Sequence, residues 1–247
     1  MKADPFAQVK LLDVQALDAR IDQLRHQRAA LPEHAELARL QEAHKTLDDQ
    51  KRDAQIAVDD LTTAQRKADA DVEAVKRRRQ RDQERMDSGA ISNPKDLERM
   101  QSELGALDRR ISVLEDEELE VMEQLEQAQA ELDRLAAEVE ASQRRIDEVT
   151  AARDEKVDRI DTEIRVTSAE RPATVEGLPD DLLALYERLR AQKGGVGAAE
   201  LRARQCGGCM LTLDPLELSR IRSLPADEVA RCEECSRILV RTAESGL

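Results

Sequence analysis

Between Leu37 and Met86 the apolar residues of the chain fall into one heptad phase: Leu37, Leu40, Leu47, Ala54, Val58, Leu61, Ala68, Val72, Val75 and Met86. A second stretch repeats the pattern through Leu97, Met100, Leu104, Leu107, Ile111, Leu114, Val121, Leu125, Ala128, Leu132, Leu135, Val139, Ile146 and Val149. This constrains the fold severely, because a heptad stripe buries a narrow seam against another helix and cannot wrap a globular core. The residue supply agrees. The 247 residues include one Phe (Phe6), one Tyr (Tyr186) and no Trp, and 37% are charged, a composition typical of long helices.

The two stretches are separated by Asp87 to Pro94, where Gly89 suits a helix C-cap and Pro94 the first turn of the next helix. A turn centred near Ala90 and Ile91 sets Met86 against Leu97, Val72 against Ile111, Leu61 against Val121 and Met122, and Leu17 opposite Val166. The fold class expected is therefore mainly α: a long antiparallel coiled-coil hairpin, each arm on the order of 110 to 120 Å. A four-residue step near Arg153 moves the stripe onto Val157, Ile160 and Ile164, the mark of a stutter. Leu17, Ile21, Leu24 and Leu31 are out of phase with the stripe that starts at Leu37, and Pro32 either kinks the arm or starts a new helix. His26, His34 and His44 sit in this arm with no ligand geometry around them and read as solvated or seam-edge side chains.

The coil is expected to end near Thr167, with a linker over Glu170 to Pro179 and an Asp180-capped amphipathic helix from Leu182 to Lys193. Leu182, Leu185, Tyr186 and Leu189 give that helix one apolar face for docking on the coil base or on the C-terminal segment. Gly194 to Gly197 lacks the Lys and Ser/Thr of a phosphate loop and reads as a hinge. The domains are thus 1–168 (hairpin, kink near 32, tip 88–94), 169–197 (linker and short helix) and 198–247.

The last segment holds all four cysteines, as Cys206-Gly-Gly-Cys209 and Cys232-Glu-Glu-Cys235. A two-residue spacer lets both thiolates of a tight turn reach one tetrahedral ion, so Cys206, Cys209, Cys232 and Cys235 are the expected ligands of one structural zinc. The insert of about 22 residues reads as a strand from Met210 to Leu213 and a helix from Pro215 to Ser223. Val229 to Arg231 and Ile238 to Val240 read as further strands. Four cysteines leave no open position for a substrate, and redox chemistry at Cys-Xaa-Xaa-Cys needs a βαβ setting that the sequence lacks. The ribbon is expected to depend on its zinc and to form a core separate from the coil.

No apolar run approaches the roughly 18 residues of a membrane span, and the first residues lack the apolar region of a signal peptide. Cytoplasmic residence is the expectation, with thiols kept reduced for metal. The net charge of −14 argues against nonspecific wrapping of nucleic acid or anionic membrane.

The stretch Asn93 to Leu97, the coiled-coil arms and the ending Arg231 to Leu239 resemble the bacterial C4-type zinc-ribbon proteins with a long coiled-coil hairpin. The likeness covers nearly the whole chain. In that family the ribbon is described as nucleic-acid-binding, and some relatives serve as adaptors or chaperones for an alternative sigma factor, secretion components or flagellar transcripts; the resemblance implies an adaptor here without carrying those particular partners over. Ser236 departs from the family, where Gly is expected in many relatives.

The function expected is a non-enzymatic, zinc-binding adaptor, monomeric, that grips a protein, or else RNA or DNA, through ribbon and coil. The alternative is a structural coiled-coil spacer or scaffold. An enzyme is disfavoured, with no nucleophile–base pair, phosphate loop or open metal site in the sequence. Candidate partner-binding residues are Arg77, Arg78, Arg79, Arg81 and Lys95 near the tip and Arg202, Arg204, Arg220, Arg222 and Arg237 in the ribbon, since Arg offers forked contacts to phosphate or carboxylate. Arg79 and Asp82 fall on seam positions, and no exposed aromatic is expected for base stacking.

Overall fold

The computed structural model describes residues 1–89 and 91–247. The expected turn centre at Ala90 lies outside the described residues. Four helices precede a small sheet: α1 (Pro5–Ala29), α2 (Pro32–Asp87), α3 (Pro94–Val175) and α4 (Asp180–Gln192). Then come β1 (Ala198–Arg202), β2 (Gln205–Cys206), α5 (Pro215–Ser223), β3 (Ala230–Arg231) and β4 (Ile238–Arg241). The chain divides into two compact units, Ala35–Thr150 and a second formed by Met1–His34 with Ala151–Leu247.

The Ala35–Thr150 unit is an antiparallel two-helix coil. Every heptad residue from Leu37 to Met86 and from Leu97 to Val149 is buried or half-buried, with Leu37, Val58, Val72, Leu104, Leu114, Leu135 and Val149 the most enclosed. Cross-helix pairs run in opposite sequence directions, as antiparallel arms require: Glu36 to Arg145, Lys76 to Glu115, Arg79 to Asp108 and Arg78 to Glu103. The polar seam residues are paired, Arg79 across to Asp108 and Asp82 with Arg78. After Asp87, Gly89 adopts φ +69°, the left-handed cap position its sequence context calls for. Asn93 opens α3, its side-chain oxygen accepting from the Lys95 amide at 3.1 Å.

In the other unit Pro32 opens a new helix, so α1 stops at Ala29. Asp4 caps α1 by accepting from the Phe6 amide at 2.8 Å, with Pro5 in the first turn. The buried stripe of α1 is Ala7, Leu11, Val14, Ile21 and Leu24. Leu17 is only half-buried and Val166, expected opposite it, is exposed, so the two do not pack, although Arg20 meets Glu163 in the expected register. Instead Leu24 and Leu31 meet Ile160, with Val157 and Ile164 alongside, as the stutter predicts.

Helix α3 does not yield to a linker at Glu170 but continues to Val175 through Pro172. Proline forfeits one amide bond there, within the last turn, where interruption is least costly. Arg171 is anchored by Asp18 and Glu187, and Val175 packs on the core below, which holds the turn. Helix α4 starts at Asp180 with Pro179 at the cap, so Asp180 is a first-turn residue and not the cap.

The sheet order is β2-β1-β4-β3, with β1 parallel to β4 (Ala198 beside Ile238, Leu201 beside Arg241) and both outer pairs antiparallel. The central strand β1 is additional to the strands read from the sequence, and Met210 to Leu213 contributes only a bridge from Thr212 to Gln205. The sheet is not a separate core. One face joins α1 and α4, where Leu11, Val14, Leu182, Tyr186, Leu189, Ile238 and Val240 pack together, each fully buried aliphatic contributing about 1.5–3 kcal/mol. The other face holds Ala199, Leu201, Ile221, Leu239 and the cysteines. Residues before α1 extend the assembly: the Ala3 amide donates to the Asp227 carbonyl at 2.7 Å and the Val229 amide to the Met1 carbonyl at 3.0 Å.

Candidate metal centre and partner surface

Cys206 ends β2 and Cys232 comes directly after β3, and these are the two outer strands of the sheet. Their thiols nevertheless meet, because each cysteine pair turns back in a matching knuckle. The Met210 amide donates to the Cys206 carbonyl and the Ser236 amide to the Cys232 carbonyl, both at 2.8 Å. Met210 and Ser236 occupy equivalent positions and share positive φ, +62° and +64°. That conformation explains why glycine is expected at 236, and serine holds the same cap. Gly208 is required for close approach: a Cβ there would lie 2.7 Å from Arg237 Cδ and 3.1 Å from Ala199 Cβ.

All four Sγ atoms lie within 4.8 Å of one another, with Cys206 to Cys235 at 3.8 Å and Cys209 to Cys232 at 3.9 Å. Four bonds of about 2.3 Å directed to tetrahedral corners require edges of about 3.8 Å, so the donors fit one zinc. The cysteines are not disulfide-bonded. Burial pushes the Cys206 and Cys232 thiols up, Cys232 to about 12. Burial also works to raise Cys235, but the adjacent Arg237 and the neighbouring Cys232 and Cys209 thiols outweigh it and hold Cys235 down at about 7. A bound dication offsets the cost of burying thiolates and deprotonates them outright. Four thiolates complete the tetrahedron, so the ion staples the sheet's two edges and has no site left for a substrate.

The expected partner residues separate by what their side chains already hold. Arg237 donates to the Val196 carbonyl at 2.9 Å and the Lys193 carbonyl at 2.7 Å, so it braces the glycine segment. Arg220 is paired with buried Glu217, Arg202 with Glu244, and Arg204 donates to the Gly246 carbonyl. Arg78 and Arg79 are committed to Glu103 and Asp108. Among the described residues Arg77, Arg81, Lys95 and Arg222 have no side-chain ion pair. Phe6 corrects the expectation about aromatics: it is 86% exposed.

Gly194 to Gly197 is not a free hinge. Gln15 accepts from the Gly197 amide at 2.8 Å and donates to the Gly195 carbonyl at 3.0 Å, while a Cβ on Gly197 would meet the Tyr186 carbonyl at 2.5 Å. Beside this clamp, buried Asp18 accepts from Arg171 at 2.8 Å and from the Tyr186 hydroxyl at 2.8 Å, with Arg190 at 3.5 Å. The available signal is that Gln8, Gln15 and Asp18 interrupt the apolar stripe of α1 at helical spacing.

A family model described as a CT398-like coiled coil hairpin domain matches residues 14–194, and one for a C4-type zinc ribbon domain matches residues 205–239. The chain belongs to this family. The Mycobacterium tuberculosis protein MT2288 is 35% identical over 98% of both chains, and Mycobacterium leprae ML1638 is 31% identical over 90% of this chain and 95% of its own. A solved structure from Mycobacterium smegmatis, 33% identical, superposes with a TM-score of 0.86 over 98% of this chain and all of its own. CT398 from Chlamydia trachomatis, 19% identical, shares the fold with a TM-score of 0.71 over 96% of this chain and 98% of its own.

Proposed function

We propose that this family member is a non-enzymatic adaptor whose zinc-stapled ribbon docks a protein partner, with the coil as a second contact. The observation that carries the reading is apolar exposure on the insert between the knuckles: Met210 and Leu211 are exposed directly after the first knuckle, and Leu216, in the first turn of α5, is 83% exposed. Large apolar side chains exposed on one short, metal-fixed insert are what a docking face needs and a solvated surface avoids. The closed thiolate site supports a structural over a catalytic ion. Arg222, in the last turn of α5, supplies a cation without an ion pair among the described residues, and Arg77, Arg81 and Lys95 supply cations on the coil for an acidic or nucleic-acid contact. Arg202, Arg204 and Arg220 are secondary, since each would trade an existing bond. Four free thiols suit a reducing, cytoplasmic setting, and no described helix is long and apolar enough to cross a membrane.

The test is affinity capture from the source cytoplasm with zinc-loaded protein, with Cys206→Ser, and with a Met210→Ser/Leu216→Ser variant that keeps the zinc, each with and without ribonuclease. A protein lost with both variants and retained after ribonuclease is the expected result. Ribonuclease-sensitive capture moves the reading to RNA. No capture together with concentration-dependent assembly moves it to the scaffold.

A further inference from the structure

The negative charge of the chain is not evenly spread. Residues 46–72 and 115–140 hold eighteen Asp and Glu against five Lys and Arg, almost the whole net charge of −14. These segments lie side by side in the coil, since Lys76 reaches Glu115 and the carboxyls of Asp69 and Glu118 face each other across it. Of the cations in and beside them, Arg52 is held by Asp48 and Asp49, Arg134 by Glu131 and Glu138 and Lys76 by Glu115, while Lys51, Arg66 and Lys67 have no ion pair among the described residues and leave the carboxylates in large excess. Glu123 and Glu126 have no side-chain cation among the described residues.

An open groove of about 700 Å³ runs through this acidic stretch, with Leu119, Met122, Leu125 and Ala130 among its lining and Glu123 and Glu126 beside them. Leu119 is 57% and Met122 42% exposed. Carboxyls meeting across the coil at Asp69 and Glu118 repel unless a proton is shared, and Glu118 holds its proton above the usual carboxylate range for that reason. A cation seated there relieves the repulsion. An apolar strip edged by uncompensated carboxylates complements a helix with an apolar stripe between basic flanks. A second copy would set like charge on like, and nucleic acid is repelled outright.

We propose that this groove docks a cationic amphipathic helix of a protein partner, its apolar stripe on Leu119 and Met122 and its Lys or Arg side chains over Glu123, Glu126 and the Asp69–Glu118 pair. The inference rests on the adaptor reading and names a contact independent of the ribbon.

The probe is a synthetic helical peptide of about five turns, with Leu at i, i+3, i+4 and i+7 and Lys on the flanks, titrated by fluorescence anisotropy into the full zinc-loaded chain. Leu119→Ser with Met122→Ser is expected to weaken binding about tenfold or more with the helical signal unchanged. Glu123→Gln with Glu126→Gln is expected to weaken it several-fold and flatten its salt dependence. Equal binding of a scrambled peptide of the same composition, or indifference to the Leu119/Met122 change, overturns the proposal, because charge alone would then explain the contact. So does self-association in sedimentation that the Leu119/Met122 variant abolishes. Failure of the peptide with ribbon-dependent capture intact removes the groove alone. The reverse pattern removes only the ribbon face.

Discussion

Tyr186 donates its hydroxyl to Asp18 across 2.8 Å, and both side chains are shut away from solvent. The same carboxylate takes Arg171 and lies beside Arg190, so α1, the end of α3 and α4 converge on one anion. Asp18→Asn is expected to destabilise the protein by about 2 kcal/mol, the scale for hydrogen bonds to a charged group. It sits below the full cost of stranding a buried charge, because Arg171 keeps Glu187 and some water. Urea unfolding of the variant against the natural chain measures it.

The same carboxylate sets an acid dependence. Burial alone would raise Asp18, but hydrogen bonds from Arg171 and Tyr186 and the charges of Arg171 and Arg190 outweigh it and hold the group below the ordinary carboxylate value. A depressed folded value means the contribution is complete above the unfolded value of about 3.9 and disappears as pH falls through the folded one. The stability gap between the natural chain and Asp18→Asn should therefore be constant near neutrality and close below about pH 4. A gap unchanged at pH 3 would contradict this.

Zinc removal should be felt beyond the ribbon. Ile238 and Val240 share a core with Leu11, Val14 and Tyr186, so chelation or Cys206→Ser is expected to expose α1 and α4 amides along with the sheet. The coil of residues 35–150 has its own seam and should keep its protection. Hydrogen exchange read by mass spectrometry separates the two, and loss of protection over Leu104 to Leu135 would refute the division.

Ser236 carries φ +64° where glycine carries none of the penalty. Ser236→Gly is expected to stabilise the second knuckle, gaining up to about 1 kcal/mol. The check is the chelator concentration needed for half loss of zinc, which should rise.

Gly197→Ala should act in the opposite sense, since a Cβ there meets the Tyr186 carbonyl and ring. An overpacked site of this kind costs about 1–3 kcal/mol, and a thermal melt of the zinc-loaded protein would register it.

What the sequence discloses and what it withholds divide by range. Heptad burial at Val72 or Leu114 and the four thiolates are local signals, a repeat along one helix and a spacer within one turn. The strand β1 is held by β4 and screened by α1, so nothing within Ala198 to Arg202 announces it. Arg237 illustrates the same gap from the other side: the sequence reads it as a partner contact, yet its bonds go to main-chain carbonyls at Lys193 and Val196, which no residue code reveals. The glycine run reads as a hinge in the sequence because its clamp, Gln15, lies far away in the first helix.

Leu11 and Val14 find their cover in Ile238 and Val240, which a ribosome adds only after the whole of α2, α3 and α4. The coil, whose contacts form across a single turn, can close while synthesis continues. Until the final strand emerges the apolar face of the first helix is covered only in part, by α4 and the end of α3, and so the nascent chain keeps apolar surface exposed up to metal loading. Shielding during that interval is a demand the topology places on the cell, and it falls on the first helix.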